Sequence, residues 1–436
     1  MRIANRESQT CRPTGLHQME DRGFDLETRL SDEASIHGMR SLAPTDRIDA
    51  RSYRAEPPNG GLPVLEADEH LIFGSQNYLG LTADQRVQNA ARQAAASVGT
   101  GAGGSRLTTG DTIVHHDLER LLAETLGTDR ALTFPSGYAT NVGTIRALEP
   151  DVVFVDAYTH VSSLEGCQLS GTEVVPYDHC DPDDLRAAMD RYTGTERETV
   201  TGDGGESVDE SWLVVTDSTF MLDGAVAPLH AICDVAESVG AWVMVDETHA
   251  TGLYARGGGI VQAEGVADRV HVQMGSLSSA LASQGGYIAG TDALIEWVLN
   301  RAPPFVESTG LTPMAAAAAS EALHLSKHGD QREQLWENVS HLREGVAGMG
   351  YDVRGDSQIL AVECGTVETA RELTDALTAR GVIVQPPMTP LQTDLTDCTV
   401  PMDTTVTILP SAAHTRGQVL ACLEAFQDAG DACDLL

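Results

Sequence analysis

Trp242-Val-Met-Val-Asp-Glu-Thr-His-Ala-Thr-Gly252 runs from a short apolar stretch into an acid, Asp246, and sets His249 three positions beyond it. An apolar run of that length without polar alternation reads as a strand buried on both faces. It therefore belongs to a mainly parallel sheet covered by helices. In such sheets the carboxyl ends of the strands face the ligand crevice. A buried Asp at that end calls for a cationic partner, and a protonated ring nitrogen is a suitable one. An Asp that caps the next helix, with an incidental His after it, fits the spacing as well.

Similar β-rich runs lie at 131–134, 152–156, 173–176, 212–217, 270–274 and 286–289, and helical patterns alternate with them. One helix is expected over 116–126, with Leu118, Leu121, Leu122 and Leu126 on one face, Asp111 and Thr112 near its start and Gly127 beyond its end. A second is expected from a Thr312 cap and Pro313, through an alanine run, to Gly329, with Lys327 in its last turn. The acidic, Gly-rich stretch 193–210 reads as a surface insertion. Helix and strand patterns resume at 334–346, 359–363, 369–380, 405–409 and 416–426. The expected architecture is α/β: a polar segment at 1–65, punctuated at 57–61, a large domain at 66–300, and a linking helix with a smaller C-terminal α/β domain at 301–436.

The 436 residues carry 64 Asp+Glu against 28 Lys+Arg, a net charge of −36, and Lys327 is the single lysine. Such a polyanion is repelled by nucleic acid and by anionic membranes. Its charge and its shortage of lysine together point to a salt-rich cytoplasm. No apolar run is long enough to span a membrane, and the polar 1–12 stretch lacks the apolar core of an export signal. Eight scattered cysteines without a C-x-x-C pair fit a reducing compartment and give no metal site.

Two more strand ends carry candidate chemistry. Phe134-Pro-Ser136-Gly137-Tyr138 is a strand, a tight turn and a helix start whose amides could cradle phosphate, although Ser-Gly turns are common without a ligand. Val155-Asp156-Ala-Tyr-Thr-His160 places a second histidine beyond a strand, where capping or packing is the ordinary role. The Gly cluster from Gly99 to Gly104 opens no βαβ unit, which argues against a dinucleotide fingerprint.

Taken in order, Asn77-Tyr78-Leu79-Gly80, the Gly cluster through Arg106 with Gly110 and His115, Ser136-Gly137-Tyr138, His160, Thr216-Asp217, Asp223-Gly224, Pro228-Leu229, Asp246-x-x-His249 and Ser308-Thr309 resemble the α-oxoamine synthases. That family includes 8-amino-7-oxononanoate synthase, glycine C-acetyltransferase and serine palmitoyltransferase. The resemblance covers about residues 70–430. It implies the aspartate-aminotransferase-like fold (fold type I), pyridoxal 5′-phosphate (PLP) as cofactor, and condensation of an amino acid with an acyl-CoA in a dimer with shared sites. It also implies roles. His160 would stack on the pyridine ring, Asp246 would pair with its nitrogen, and His249 would contact the 3′-oxygen. Ser136, Gly137, Tyr138 and Ser276 would line the cofactor, Thr309 would reach the phosphate from the partner subunit, and Asn77 would lie near substrate.

The resemblance breaks at the Schiff-base lysine. Family members follow the strand near 270 with a Gly-Thr-Leu-Gly-Lys-Ala-Leu type segment, and this chain has Gly275-Ser276-Leu277-Ser278-Ser279-Ala280-Leu281. The lysine position falls on Ser279, or on Ser278 in an alternative alignment, and is serine either way. A hydroxyl neither exchanges covalently with an amine nor acts as the acid–base that the lysine provides. The family's carboxylate-gripping Arg-x-Arg is also replaced, by Thr405 and Thr407, and Met221 stands where a small polar residue is common. No His lies in 275–284 to support a lysine-free dehydration. The expectation is a PLP-binding member that holds the cofactor non-covalently, is impaired in turnover, and forms a homodimer or pairs with a lysine-bearing relative. The alternative is an active acyltransferase of the 8-amino-7-oxononanoate synthase type that tolerates Ser279.

Overall fold

The computed structural model describes residues 44–55, 64–200, 210–387, 404–433 and 435–436, with only the backbone course given for 194–200. The punctuation at 57–61 and the first 43 residues, with Cys11, lie outside the described residues, as does Cys398. Strands β1 (Arg51–Ala55) and β2 (Leu65–Ile72) pair antiparallel. The central sheet follows: β3 (Arg130–Phe134), β4 (Val152–Asp156), β5 (Glu173–Tyr177), β6 (Trp212–Asp217), β7 (Trp242–Asp246), β8 (Val272–Ser276) and β9 (Gly286–Gly290). Their order is β3-β9-β8-β7-β6-β4-β5. β4 to β8 run parallel to one another, and β9 is antiparallel to both its neighbours.

Side-chain alternation divides this sheet between two cores. Val243 and Val245 of β7 pack with Phe154 and Ile232 on one face, and Met244 packs with Phe134, Ile145 and Ile288 on the other. Both faces are covered because the crossovers between parallel strands are helices: Gly137–Leu148, Val161–Ser170, Pro182–Val200 and Leu229–Val239. The last two residues of β8 are polar and small, yet the strand reaches Ser276. β9 supplies a partner for each of them, pairing Tyr287 with Gly275 and Gly286 with Ser276.

Helix ends follow the sequence signals. Thr112 caps Ile113–Leu126, three residues earlier than the leucine periodicity suggests, because His115 returns a hydrogen bond to the cap. Gly127 ends that helix in the left-handed region at φ 73°. Thr312 accepts from Ala315 N at the start of Pro313–His328, where Pro313 occupies the first turn. The expected insertion at 193–210 begins as helix: Pro182–Val200 continues through it, and 201–209 lie outside the described residues.

C-terminal to the long helix, β10 (Val353–Arg354), β11 (Leu360–Glu363) and β13 (Thr405–Ile408) form an antiparallel sheet. β12 (Val382–Ile383) pairs parallel with β2, tying this region to the N-terminal strands. Among the described residues no helix is long and apolar enough to cross a membrane.

Candidate active site

Three carboxylates stand at the C-terminal ends of adjacent strands: Asp156 on β4, Asp217 on β6 and Asp246 on β7, with Asp217 directly opposite Asp246 in register. All three are buried. Burial, followed by the neighbouring Asp246 and Asp156 carboxylates, pushes Asp217 well above the usual carboxylate range. Asp246 is held by two hydrogen bonds. Its Oδ2 accepts from Asn141 Nδ2 at 2.9 Å and its Oδ1 from Thr248 N at 2.9 Å. Among the described residues no Arg, Lys or His forms an ion pair with Asp246. The structure thus presents a buried, oriented carboxylate that lacks a cation.

Both candidate histidines converge on it. Asn141 also donates to Ser162 Oγ at 3.0 Å, and Ser162 Oγ lies 2.7 Å from His160 Nδ1, so Asp246, Asn141, Ser162 and His160 form one chain. His160 itself is exposed and caps the helix Val161–Ser170. His249 is buried, with Nδ1 3.0 Å from the Tyr78 hydroxyl and its carbonyl accepting from Gln358 Nε2 at 2.6 Å. Loss of water pushes His249 down to about 4; Asp246 opposes this and His160 adds to it. His249 is therefore neutral at physiological pH and can either donate or accept.

The remaining site residues fall into three groups. Ser136 caps Gly137–Leu148 by accepting from Ala139 N at 3.0 Å, and Tyr138 is 46% exposed at the same helix start. A Cβ on Gly286 would come within 2.8 Å of Gly137 Cα, so this turn closes tightly against β9, beside Ser276. Ser276 Oγ lies 2.7 Å from Ser278 Oγ, and Ser278 is exposed. Ser279 is 1% exposed and donates to Gln76 Oε1 at 3.1 Å. Asn77 commits its amide to Thr82 Oγ1 at 2.7 Å, and its neighbour Gln76 is the one that reaches the Ser279 turn. Thr309 is exposed in the loop before Pro313–His328. Thr405 and Thr407 are buried in β13. Lys327 sits in the last turn of Pro313–His328, its stem against Gly257, where a Cβ would meet Lys327 Cγ at 2.9 Å.

Sequence reasoning missed Asn141 as the residue that aims Asp246, and it missed His179 entirely. His179 Nδ1 is 2.8 Å from Asp156 Oδ1 and its Nε2 is 3.1 Å from Asp223 Oδ2. Asp156, His179 and Cys180 bring ligand atoms within 4.8 Å of one another. Both His179 nitrogens are already spent on carboxylates, and the trio reads as an ion-pair hub. Spaces of about 380 Å³ beside Tyr254 and Trp336 and about 470 Å³ beside Arg106 and Phe305 exclude both Asp246 and His249.

Acid sensitivity follows from this burial. His414, also buried, is pushed down to about 4, while burial pushes Glu247 up to about 7 against the Val261 N–H that bonds it. Below the ordinary histidine value of 6.5, the unfolded chain gains a proton at His249 and His414 that the folded chain refuses. Glu247 works in the opposite sense, because the folded chain takes up its proton first. Asp217, also raised, works with Glu247, so the histidine share is read from a variant: His414 on its own loses about 1.4 kcal/mol of stability per pH unit from about pH 6.5 to 4.5. Melts in about 1 M salt, where the Debye length is about 3 Å, should show Tm falling less over that range in His414→Gln than in the wild type. An equal fall in both proteins would contradict the neutrality of His414.

PLP fits these residues. Its protonated ring nitrogen would supply the cation that Asp246 lacks, and the turn at Ser136-Gly137 lies beside Ser276, where amides could take the phosphate. Asn141 Oδ1 is buried without a hydrogen-bond partner among the described residues, in the same region. Residues 68–425 match the family model for aminotransferase class I and II. The chain is 39% identical to 8-amino-7-oxononanoate synthase of Anaeromyxobacter dehalogenans, over 86% of this chain and 92% of that one. It is 33% identical to the Thermoanaerobacter pseudethanolicus protein of the same name, over 87% and 93%. Among solved structures, Sphingomonas wittichii serine palmitoyltransferase superposes with TM-score 0.80 at 26% identity, covering 94% and 97% of the two chains. A lysine-to-alanine variant of S. paucimobilis serine palmitoyltransferase with a bound PLP–myriocin aldimine also matches, at TM-score 0.80, 26% identity and 94% and 98% coverage.

Proposed function

Because this chain belongs to the α-oxoamine synthases, PLP-dependent members of the class I and II aminotransferase family, we propose that it binds PLP non-covalently and is impaired in the acyl-CoA condensation typical of its relatives. The carrying observation is the lysine inventory. The only amine-bearing side chain in the sequence is Lys327, at the end of a helix with its stem on Gly257, and the position expected for the Schiff base is Ser279. PLP supplies an electron sink when bound. Asp246 would keep its ring nitrogen protonated, His160 and His249 would flank it, and Ser136, Gly137, Tyr138 and Ser276 would line it. Thr309 would complete the phosphate contacts from a partner subunit, and Asn77 would lie toward substrate. The missing cation at Thr405 and Thr407 supports the same conclusion, since a hydroxyl does not neutralise a substrate carboxylate. The lysine-less relative with a bound PLP adduct supports retention of the cofactor pocket without that amine.

In this reading the chain is a cytoplasmic homodimer, or a partner that lends a fold to a lysine-bearing relative. Purified protein given PLP, several amino acids and several acyl-CoAs should release no CoA above background; release with any pair would establish the second reading, an active acyltransferase. That second reading is favoured by the synthase names of the relatives at 33–39% identity.

The acidity supports a salt-rich working environment. A net charge of −36 repels itself in dilute buffer, and screening relieves it. Tm should rise steeply between about 0.1 and 1 M KCl, over which the Debye length shrinks from about 10 to 3 Å. A flat Tm over that range would argue against salt adaptation.

A further inference from the structure

We propose that His179 is a positioning residue that holds His160 and His249, the two histidines beside Asp246, in place by bridging Asp156 and Asp223. The inference rests on the cofactor reading above for its consequence, and on geometry alone for its existence.

The contacts can be followed from one histidine to the other. The loop that ends in His160 starts at Asp156, whose Oδ1 accepts from Tyr158 N at 2.8 Å and whose carbonyl accepts from Thr159 N at 2.9 Å. The same carboxylate bonds His179 and, through Oδ2, Cys180 N at 2.8 Å. The Tyr158 ring stacks on His179 with centroids 4.0 Å apart and planes 14° from parallel, and Phe220 closes the other side edge-on at 4.4 Å. His179 thus fixes the loop both through a shared carboxylate and through a stacked ring.

From its other nitrogen His179 reaches Asp223, whose Oδ1 accepts from Ala225 N at 3.0 Å. Asp223 orients Gly224, a left-handed residue at φ 72° where a Cβ would lie 2.2 Å from Ile359 O. The Gly224 carbonyl accepts from Ser357 Oγ at 2.8 Å and from Asp356 N at 3.1 Å. The next residue, Gln358, donates to the His249 carbonyl. One imidazole therefore joins the His160 loop to the segment that holds His249. Burial opposes its protonation, but the bonds to Asp156 and Asp223 overcome that and hold it up at about 12. With both nitrogens protonated it bonds both carboxylates at once.

The test is hydrogen exchange by mass spectrometry on the full chain without added cofactor, with PLP titration alongside. In His179→Gln, the charge, the stacked ring and the span between the two ring nitrogens are lost, and exchange at 157–163, 222–226 and 356–359 should accelerate about tenfold. Asp223→Asn should loosen 222–226 and 356–359 while leaving 157–163 near wild type. Val419→Ala, a core truncation in the helix Arg416–Ala432, controls for lost stability and should leave all three segments unchanged. PLP affinity, read from its absorbance and fluorescence, should fall about tenfold in His179→Gln and stay near wild type in Val419→Ala. Unchanged exchange at 157–163 in His179→Gln, or equal loosening in the control, would overturn the proposal. A wild type that binds no PLP would instead overturn the cofactor reading, and the exchange data would still decide the role of His179.

Discussion

Asp246→Ala is expected to weaken PLP binding by two to three orders of magnitude while leaving the apo fold intact. Removing one partner of a buried, hydrogen-bonded charge pair costs about 3–5 kcal/mol, and each 1.4 kcal/mol is a factor of about ten in affinity. Asp246 has the features that make such a loss large. It is buried, its two oxygens are held by Asn141 Nδ2 and Thr248 N, and burial pushes Asp217 beside it well above the usual carboxylate range. The apo protein should tolerate the change because truncation removes a buried carboxylate that no Arg, Lys or His among the described residues pairs, and Asn141 keeps its bond to Ser162. Fluorescence titration with PLP, alongside a melt of the apo variant, measures both halves. A Kd within about threefold of wild type would remove Asp246 from the cofactor site.

The second large effect is a gain. Ser279→Lys is expected to create a covalent PLP attachment that the wild-type chain lacks, seen as a shifted absorbance band and a borohydride-stable phosphopyridoxyl mass on the peptide containing position 279. Ser279 lies in the turn between β8 and β9, 1% exposed, with its hydroxyl on Gln76. An amine introduced there would be desolvated, which lowers its pKa and makes it nucleophilic at neutral pH. Ser278→Lys is the informative comparison: Ser278 is exposed, but its hydroxyl is drawn back onto Ser276. Attachment in the Ser278 variant but not in the Ser279 variant would move the lysine position by one residue. Attachment in neither would mean that the PLP aldehyde does not face this turn.

Local signals in the sequence carried much of the fold. β4 and β6 follow their apolar runs to the residue, and Thr112, Gly127, Thr312 and Pro313 act where capping chemistry puts them. Those features depend on neighbours a few positions away. β8 runs two residues past the expected end because its register is set by β9, and periodicity within one strand does not report a partner's length. The same separation governs the site. Asp246 and His249 lie close together in the chain and were legible. Asn141 aims Asp246 from 105 positions away, and His179 binds carboxylates 23 and 44 positions away. The elevated pKa of Asp217 arises from burial and then from cross-strand register with Asp246, neither of which a linear motif encodes.

The central claim is that this chain holds PLP without a covalent bond. The direct measurement is to saturate the wild-type protein with PLP, reduce with borohydride, digest, and map every phosphopyridoxyl peptide by mass. The account predicts a cofactor released on denaturation, as PLP before reduction and as pyridoxine 5′-phosphate after it, and no modified lysyl peptide. Stoichiometric labelling of Lys327, the only lysine in the chain, would contradict it.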